Sequence, residues 1–376
     1  MKKLRNKSVA VLDVRSDEIC AALAEKGVNN TFIIKSKYSC IYEGYAEGQF
    51  LDLGSLISAI EKAFGSINDS AGGAIKEVYV GVPCEFLTVK QTEKAISFPS
   101  SRKINSRHVS ALIDASVPEV DDDEQIIDYG ALCYTLSDKR RLIDPIGMIS
   151  DSLRARLSFF ICKTYFMECI DKAFETFTSV KIFNWVPQNF AQALYLISPE
   201  KRDGYAMLFD FGFISSTFSI VCGDGIAYSE AFSVGVGHIA VLLMETLDIP
   251  YEVATTLLSK VNLNAKDKMT AFEDCNFDGK QYSFASSELR DIIREGLDAV
   301  CEMVETCRQS FTEKDLAGAP VYITGEGVGV IKGTIEHLAS RLVTPIEQVT
   351  PKVPYYDKNI YSSLFSLLSV ALDGKN

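Results

Sequence analysis

The sequence predicts an α/β fold built from two similar halves, and three segments predict it. Val9-Ala-Val-Leu-Asp13 reads as a buried strand ending in an acid, followed by a turn and a second strand over 19–23. Ala206-Met-Leu-Phe-Asp210 repeats that design half a chain later, with its second strand over 217–221. Self-similarity of this kind marks an internal duplication. The third segment, Val321-Tyr-Ile-Thr324, is a buried strand running into Gly325-Glu-Gly327-Val-Gly329 and a helix over 335–342. Strand, Gly-rich turn and helix present backbone N–H groups and a positive helix end to phosphate or ribose.

Composition narrows the class. A chain of 376 residues is long enough for two or three domains with real cores. Its 38 Lys+Arg against 50 Asp+Glu give a formal charge of −12, and no run of Lys or Arg stands out. General nucleic-acid or anionic-membrane binding is therefore excluded, because neutralising phosphates needs clustered bases. The 10 cysteines include no C-x-x-C pair and no His at zinc-finger spacing. They are expected as reduced core thiols of a cytoplasmic protein. The apolar stretch after the basic Met1 to Lys7 is cut by Asp13, too early for a signal peptide, and no window approaches a membrane span.

Between the two hairpins, 55–64 reads as an amphipathic helix and 77–82 as a strand. An alternating strand over 87–98 is closed by Pro99, and a helix over 105–116 stops near Pro118. Asp121-Asp-Asp-Glu124 is a solvated acidic turn. Strands follow over 126–136 and 153–161, with Asp144-Pro-Ile-Gly-Met148 as the loop between them, then a helix over 165–177. Beyond the second hairpin, helices are expected over 238–247, 251–261 and 287–311.

Taken together these segments resemble the actin-like superfamily shared by actin, Hsp70 and sugar kinases, and within it most closely the bacterial cell-division family FtsA. Asp13-Val-Arg-Ser-Asp-Glu-Ile stands where that superfamily carries its first phosphate loop, Asp210-Phe-Gly-Phe-Ile-Ser-Ser-Thr at the second, and Ile323-Thr-Gly-Glu-Gly-Val at the adenosine loop. Tyr134 to Met148, with Ile143-Asp-Pro-Ile-Gly-Met148 leading to Leu153, is similar to a segment of the family's SHS2-type small subdomain (1C), a segment that sugar kinases and Hsp70 lack. The pilus-assembly ATPase PilM shares that architecture. The resemblance implies an actin-like, ribonuclease H-like duplicated fold with an inserted SHS2-type subdomain. It divides the chain into 1–76 (1A), 77–162 (1C), 163–186 (return to 1A), 187–240 (2A), 241–300 (2B) and 301–376 (2A, with the adenosine loop and terminal helix).

It also implies a Mg-ATP cleft with Asp13 and Asp210 on the metal and attacking water. Arg15, Ser16, Gly212, Ser215, Ser216, Thr217, Gly325, Glu326 and Gly327 would line the nucleotide. The loop chemistry departs from that pattern. Arg15 stands at the family's Gly position, where backbone should touch phosphate, and Glu18 stands at its usual Lys. At roughly 5 Å and an effective dielectric near ~20, the Glu repulsion is on the order of 3 kcal/mol, about a hundredfold in affinity. In the second loop Phe213 and Ile214 replace glycines. Ser215, Ser216 and Thr217 are either hydroxyl donors or ordinary turn residues. The family's Ala-Glu-x-x-Lys segment becomes Ala254-Thr-Thr-Leu-Leu258, without the acid or the Lys. These losses predict a degenerate site with weak or absent ATP and Mg binding and no useful hydrolysis.

His108, His238 and His337 lack partners in any catalytic order and read as ordinary histidines. Trp185-Val-Pro187, at the crossing between halves, reads as packing, with a hinge as its alternative. The final apolar stretch, Tyr361 to Leu372, is flanked only by Lys358 and Lys375. It lacks the basic face of a membrane-binding helix and is expected as a core helix, with direct membrane anchoring lost. The function expected from the resemblance is an FtsA-like scaffold, recruited to the division site through a tubulin-like FtsZ partner or other division proteins. Self-association would run through subdomain 1C. The alternative is an active FtsA/PilM-type ATPase using Mg-ATP as an assembly switch. A sugar kinase of the same fold fits least.

Overall fold

The computed structural model describes residues 8–28, 31–265, 271–312, 316 and 318–373; the basic N-terminal stretch and Lys375 lie outside the described residues. The first half opens with β1 (Val9–Val14), β2 (Glu18–Lys26) and β3 (Phe32–Ile41), followed by the short β4 (Tyr45–Ala46) and β5 (Gln49–Phe50), α1 (Leu53–Ser70) and β6 (Glu77–Val82). An insert follows: β7 (Leu87–Lys103), α2 (Ser106–Asp114), β8 (Glu124–Leu136), β9 (Arg141–Leu142) and β10 (Ile149–Lys163). The chain then returns through α3 (Thr164–Ala173), β11 (Ile182–Pro187) and α4 (Gln188–Leu196). The second half comprises α5 (Pro199–Arg202), β12 (Tyr205–Asp210), β13 (Ser216–Cys222), β14 (Gly225–Phe232), α6 (Val236–Leu247), α7 (Tyr251–Lys260), β15 (Phe272–Phe277), β16 (Lys280–Ala285) and α8 (Ser286–Ser310). It ends with β17 (Val321–Thr324), α9 (Gly327–Val330), α10 (Thr334–Leu342), β18 (Ile346–Gln348) and α11 (Ser362–Asp373).

The duplication is explicit in the sheets. The first has the order β11-β6-β1-β2-β3 and the second β18-β17-β12-β13-β14. In each, the hairpin partner is antiparallel and the two later strands are parallel. Period-2 alternation buries both faces of the first sheet. Ala10, Leu12, Ile19, Ala21 and Leu23 face α1, whereas Val11, Cys20, Ala22 and Ala24 face α11. The small residues of β2 let α11 approach closely, and its Leu364, Phe365, Leu367 and Leu368 are fully buried there. Each such side chain contributes roughly 2 kcal/mol of burial. In the second sheet, Ala206 and Leu208 pack on Ala193 of α4 and on Ile197 just after it. Each half's last helix therefore covers the other half's sheet, and α4 and α11 lie together at the seam. The terminal stretch is a core helix.

Three boundaries differ from the sequence reading. Glu77–Val82 is β6, held between β1 and β11 as a buried parallel strand of the first sheet, so the inserted sheet begins at Leu87 and not at 77. The insert's strand does not stop at Pro99 but runs to Lys103. Pro99 is tolerated because β7 is an edge strand whose pairing with β10 is irregular there, between Ser97 and Arg102. Helix α8 runs on across residue 300, where the reading divides 2B from 2A.

The insert is a four-stranded antiparallel sheet, β7-β10-β8-β9. Leu112 of α2 covers Leu153, Ala155, Leu157 and Phe159 on one face. All ten cysteines are free thiols, and all but Cys40 are buried. Trp185 stacks on Phe183 and meets Phe166 edge-on, so it is a packing residue. Asn105 and His108 close a capping box on α2, His238 accepts the Gly235 N–H at the start of α6, and His337 pairs with Asp298 at 2.8 Å. Among the described residues no helix is long and apolar enough to cross a membrane.

Candidate functional site

The duplicated topology puts the turns of both hairpins and the end of β17 on one cleft between the halves. Arg15, Ser16, Asp210, Gly212, Ser215, Thr217, Gly325 and Glu326 line it. Three of the expected residues sit elsewhere. Asp13 is fully buried beneath Arg15, and Gly327 lies against the Phe211 ring. Ser216 is turned into its own hairpin, accepting the Gly212 N–H at 3.3 Å and donating to Val234 O at 2.6 Å. That is the behaviour of a turn residue.

Sequence reasoning missed the residues that orient the two aspartates. On α4, Gln188 Nε2 donates to Asp13 Oδ1 at 2.9 Å and to Val14 O at 2.8 Å. One turn on, Gln192 Nε2 donates to Asp210 Oδ2 at 2.7 Å. Ser363 of α11 donates to Asp13 Oδ1 at 2.6 Å. The seam helices thus hold the aspartates of both halves. The available signal was two glutamines four residues apart, and so on one helix face, directly after Pro187, with Asn189 between them.

Arg15 is folded into the cleft. Its Nε is 2.9 Å from Asp13 Oδ2 and its Nη1 is 3.0 Å from Glu18 Oε2, with the side chain 12% exposed. Burial pulls the guanidinium pKa down, but Asp13, Cys20 and Glu18 more than offset that and hold it above its ordinary value. The Glu18 charge, expected to repel a triphosphate, is taken up inside the protein. Both loops are closed by protein partners. Ser16 Oγ accepts the Ile214 N–H at 3.1 Å, joining the two hairpins directly, and Arg15 N–H is taken by Glu18 O at 3.0 Å. Gly212 O and Phe213 O accept the Val236 and Gly237 N–H groups of α6 at 3.0 and 2.9 Å.

The adenosine-loop glycines have reasons of their own. Gly325 has φ +94°, and a Cβ there would strike Asp210 Oδ1 and the Phe211 carbonyl. Glu326 is pushed up to about 8 by burial and by the charges of Asp17, Glu18 and Asp210, with Arg15 opposing. Burial and Glu18 push Asp17 up to about 6, and burial raises Asp210. One guanidinium thus serves Asp13, Asp17, Glu18, Asp210 and Glu326.

In this arrangement the residues do not fit a magnesium nucleotide. The cavity is about 70 Å³, against roughly 300–1,000 Å³ for ligand pockets. A polyphosphate would meet the carboxyl groups of Asp17, Asp210 and Glu326, and the Arg15, Gly212 and Ile214 N–H groups are already bonded. Among the described residues, no three His, Cys, Asp or Glu side chains converge to hold a metal ion.

No family model matches the chain. Cell division protein FtsA of Pseudomonas aeruginosa is 17% identical over 350 residues, which are 90% of this chain and 83% of that protein. FtsA of Helicobacter pylori strain J99 is 23% identical over 244 residues, 61% of this chain and 49% of the other, so the match spans about half that relative's length. Among solved structures, the PilM-PilN type IV pilus biogenesis complex aligns over 98% of both chains with a TM-score of 0.64 at 12% identity. MreB5 of Spiroplasma citri bound to ADP aligns over 96% of this chain and 94% of its own, with a TM-score of 0.57 at 10% identity. With the two matched sheets and crossed helices, these likenesses show the fold: the chain is an actin-like, duplicated α/β protein.

Proposed function

We propose that the chain is an FtsA-like, partner-binding scaffold of cell division or a related cytoskeletal assembly, with a degenerate nucleotide site. The observation that carries this reading is Arg15, which sits between Asp13 and Glu18 in the cleft where the superfamily admits phosphate and metal. The Ser16–Ile214 bond across the hairpins supports it. The low-identity FtsA relatives support a place in division, with a tubulin-like FtsZ partner docking on 241–300 and self-association through the insert. The insert's order of strand, helix and two long strands, with only the two-residue β9 between the last two, supports the SHS2-type reading.

The alternative, an actin-like ATPase switch, rests on Asp13 and Asp210, which both survive at the hairpin ends. Calorimetry separates the two. With Mg-ATP at ~50 μM, the native chain is expected to release no binding heat, whereas Arg15→Gly/Glu18→Lys gains measurable binding. Low-micromolar, Mg-dependent binding by the native chain would overturn the degenerate-site reading and return the protein to the switchable ATPases.

A further inference from the structure

The sequence shows no basic run, but the insert assembles one. Strand alternation sends Leu153, Ala155 and Leu157 of β10 toward α2, and Arg154 and Arg156 to the opposite face. The register completes the patch: Arg154 stands opposite Thr135 of β8, and Thr135 opposite Arg141 of β9. Cross-strand partners share a face at about 5 Å per strand, so Arg141 and Arg154 stand roughly 10 Å apart, with Arg156 about 7 Å further along β10. Lys139, in the turn between β8 and β9, borders the same space. These four cations line a groove of about 620 Å³ whose lining includes one acid, Glu93. The rest of this sheet face is covered by the second half, where Asp224 N–H donates to Ala131 O at 2.9 Å and Ile226 N–H to Ser158 Oγ at 3.2 Å.

Two of the guanidinium groups are held by neighbouring side chains. Arg156 donates to Gln91 Oε1 at 2.9 Å and to the Tyr205 hydroxyl at 3.2 Å, and Arg141 donates to Cys133 Sγ at 3.5 Å. Arg154 pairs with Glu93 at 2.6 Å, but both side chains are at least half exposed, so that pair is weak. A chain with 12 more acids than bases thus presents a local surplus of guanidinium groups, the side chains best matched to carboxylates, with Glu93 in the lining and Asp203 near Arg141 as the opposing acids.

We propose that this groove binds an acidic segment of a partner protein, an Asp/Glu-rich peptide laid across β9, β8 and β10. The groove is recessed, and its lining has hydroxyls such as Thr135 and Ser152 but no exposed large apolar side chain. It suits a peptide better than a lipid surface, which needs apolar residues to enter it. No residue lines both this groove and the nucleotide cleft.

The test is fluorescence anisotropy of a labelled Glu–Ser peptide against the full chain, beside a Lys–Ser peptide of equal length. The acidic peptide is expected to bind and the basic one not, with affinity falling about tenfold between ~50 and ~300 mM salt. Arg141→Ser/Arg154→Ser weakens binding at least about tenfold, whereas Arg141→Lys/Arg154→Lys weakens it only about threefold. Glu93→Gln tightens it, which keeps the test decisive if the serine variant fails to fold. The proposal falls if the native chain does not bind the acidic peptide. It falls also if Lys62→Glu, on the exposed side of α1, weakens binding as much as the serine pair. Tighter, Arg141- and Arg154-dependent binding to phosphatidylglycerol vesicles assigns the groove to a lipid surface. Loss of the chain's own self-association in the serine variant, seen by sedimentation, assigns it to a second copy. Either result overturns the proposal.

Discussion

Replacing Arg15 by Met is expected to destabilise the fold by about 3 kcal/mol, because it strands the Asp13 carboxylate at 0% exposure. The melting temperature should drop by roughly 5 °C or more. Gln188 and Ser363 still donate to Asp13 Oδ1, so the loss is not that of a bare buried charge, but Oδ2 loses the guanidinium. The companion variant makes the argument specific. Asp13→Asn/Arg15→Met removes both charges and should recover most of the lost stability, since deleting a buried pair costs far less than halving it. A surface control, Arg140→Met, breaks an ion pair that is more than half exposed on both sides and should stay within about 0.5 kcal/mol of the native chain. If thermal melts place Arg15→Met with Arg140→Met, the guanidinium does not hold the cleft, and the closed-site reading loses its support.

The elements legible in the sequence were those with a strong local signature. The hairpins at Asp13 and Asp210, the strand at Val321–Thr324 and the long α8 carry continuous apolar runs or clean helical periodicity. Among the missed strands, β3, β11 and β14 lie at sheet edges and mix exposed and buried positions, so neither periodicity dominates. In the cleft, the two aspartates and the three loops were legible because turn chemistry is local. Their orienting partners were not, because Gln188, Gln192 and Ser363 reach the aspartates only through the exchange of seam helices between halves. The basic groove was invisible for a related reason. Register, not sequence proximity, brings Arg141 level with Arg154.

Stability should fall as pH rises from about 5 to about 9, and Glu326→Gln should remove much of that slope. Burial and the neighbouring Asp17, Glu18 and Asp210 push Glu326 from 4.5 up to about 8, with Arg15 opposing. Burial and Glu18 push Asp17 from 3.8 up to about 6. Raised acids hold their protons more tightly in the folded chain than in the unfolded one. Their stabilising effect is therefore complete below the ordinary carboxyl range and is lost as pH climbs through about 6 and then about 8. The total is on the order of a few kcal/mol, several degrees in melting temperature. Gln mimics the protonated acid, so Glu326→Gln should melt close to the native chain at pH ~5 and above it at pH ~9. Parallel melting curves for the two proteins would show that Glu326 is ionised throughout. Among the described residues, Arg15 would then be the one cation set against five charged carboxylates at neutral pH, with Gln188, Gln192 and Ser363 as the neutral donors to Asp13 and Asp210.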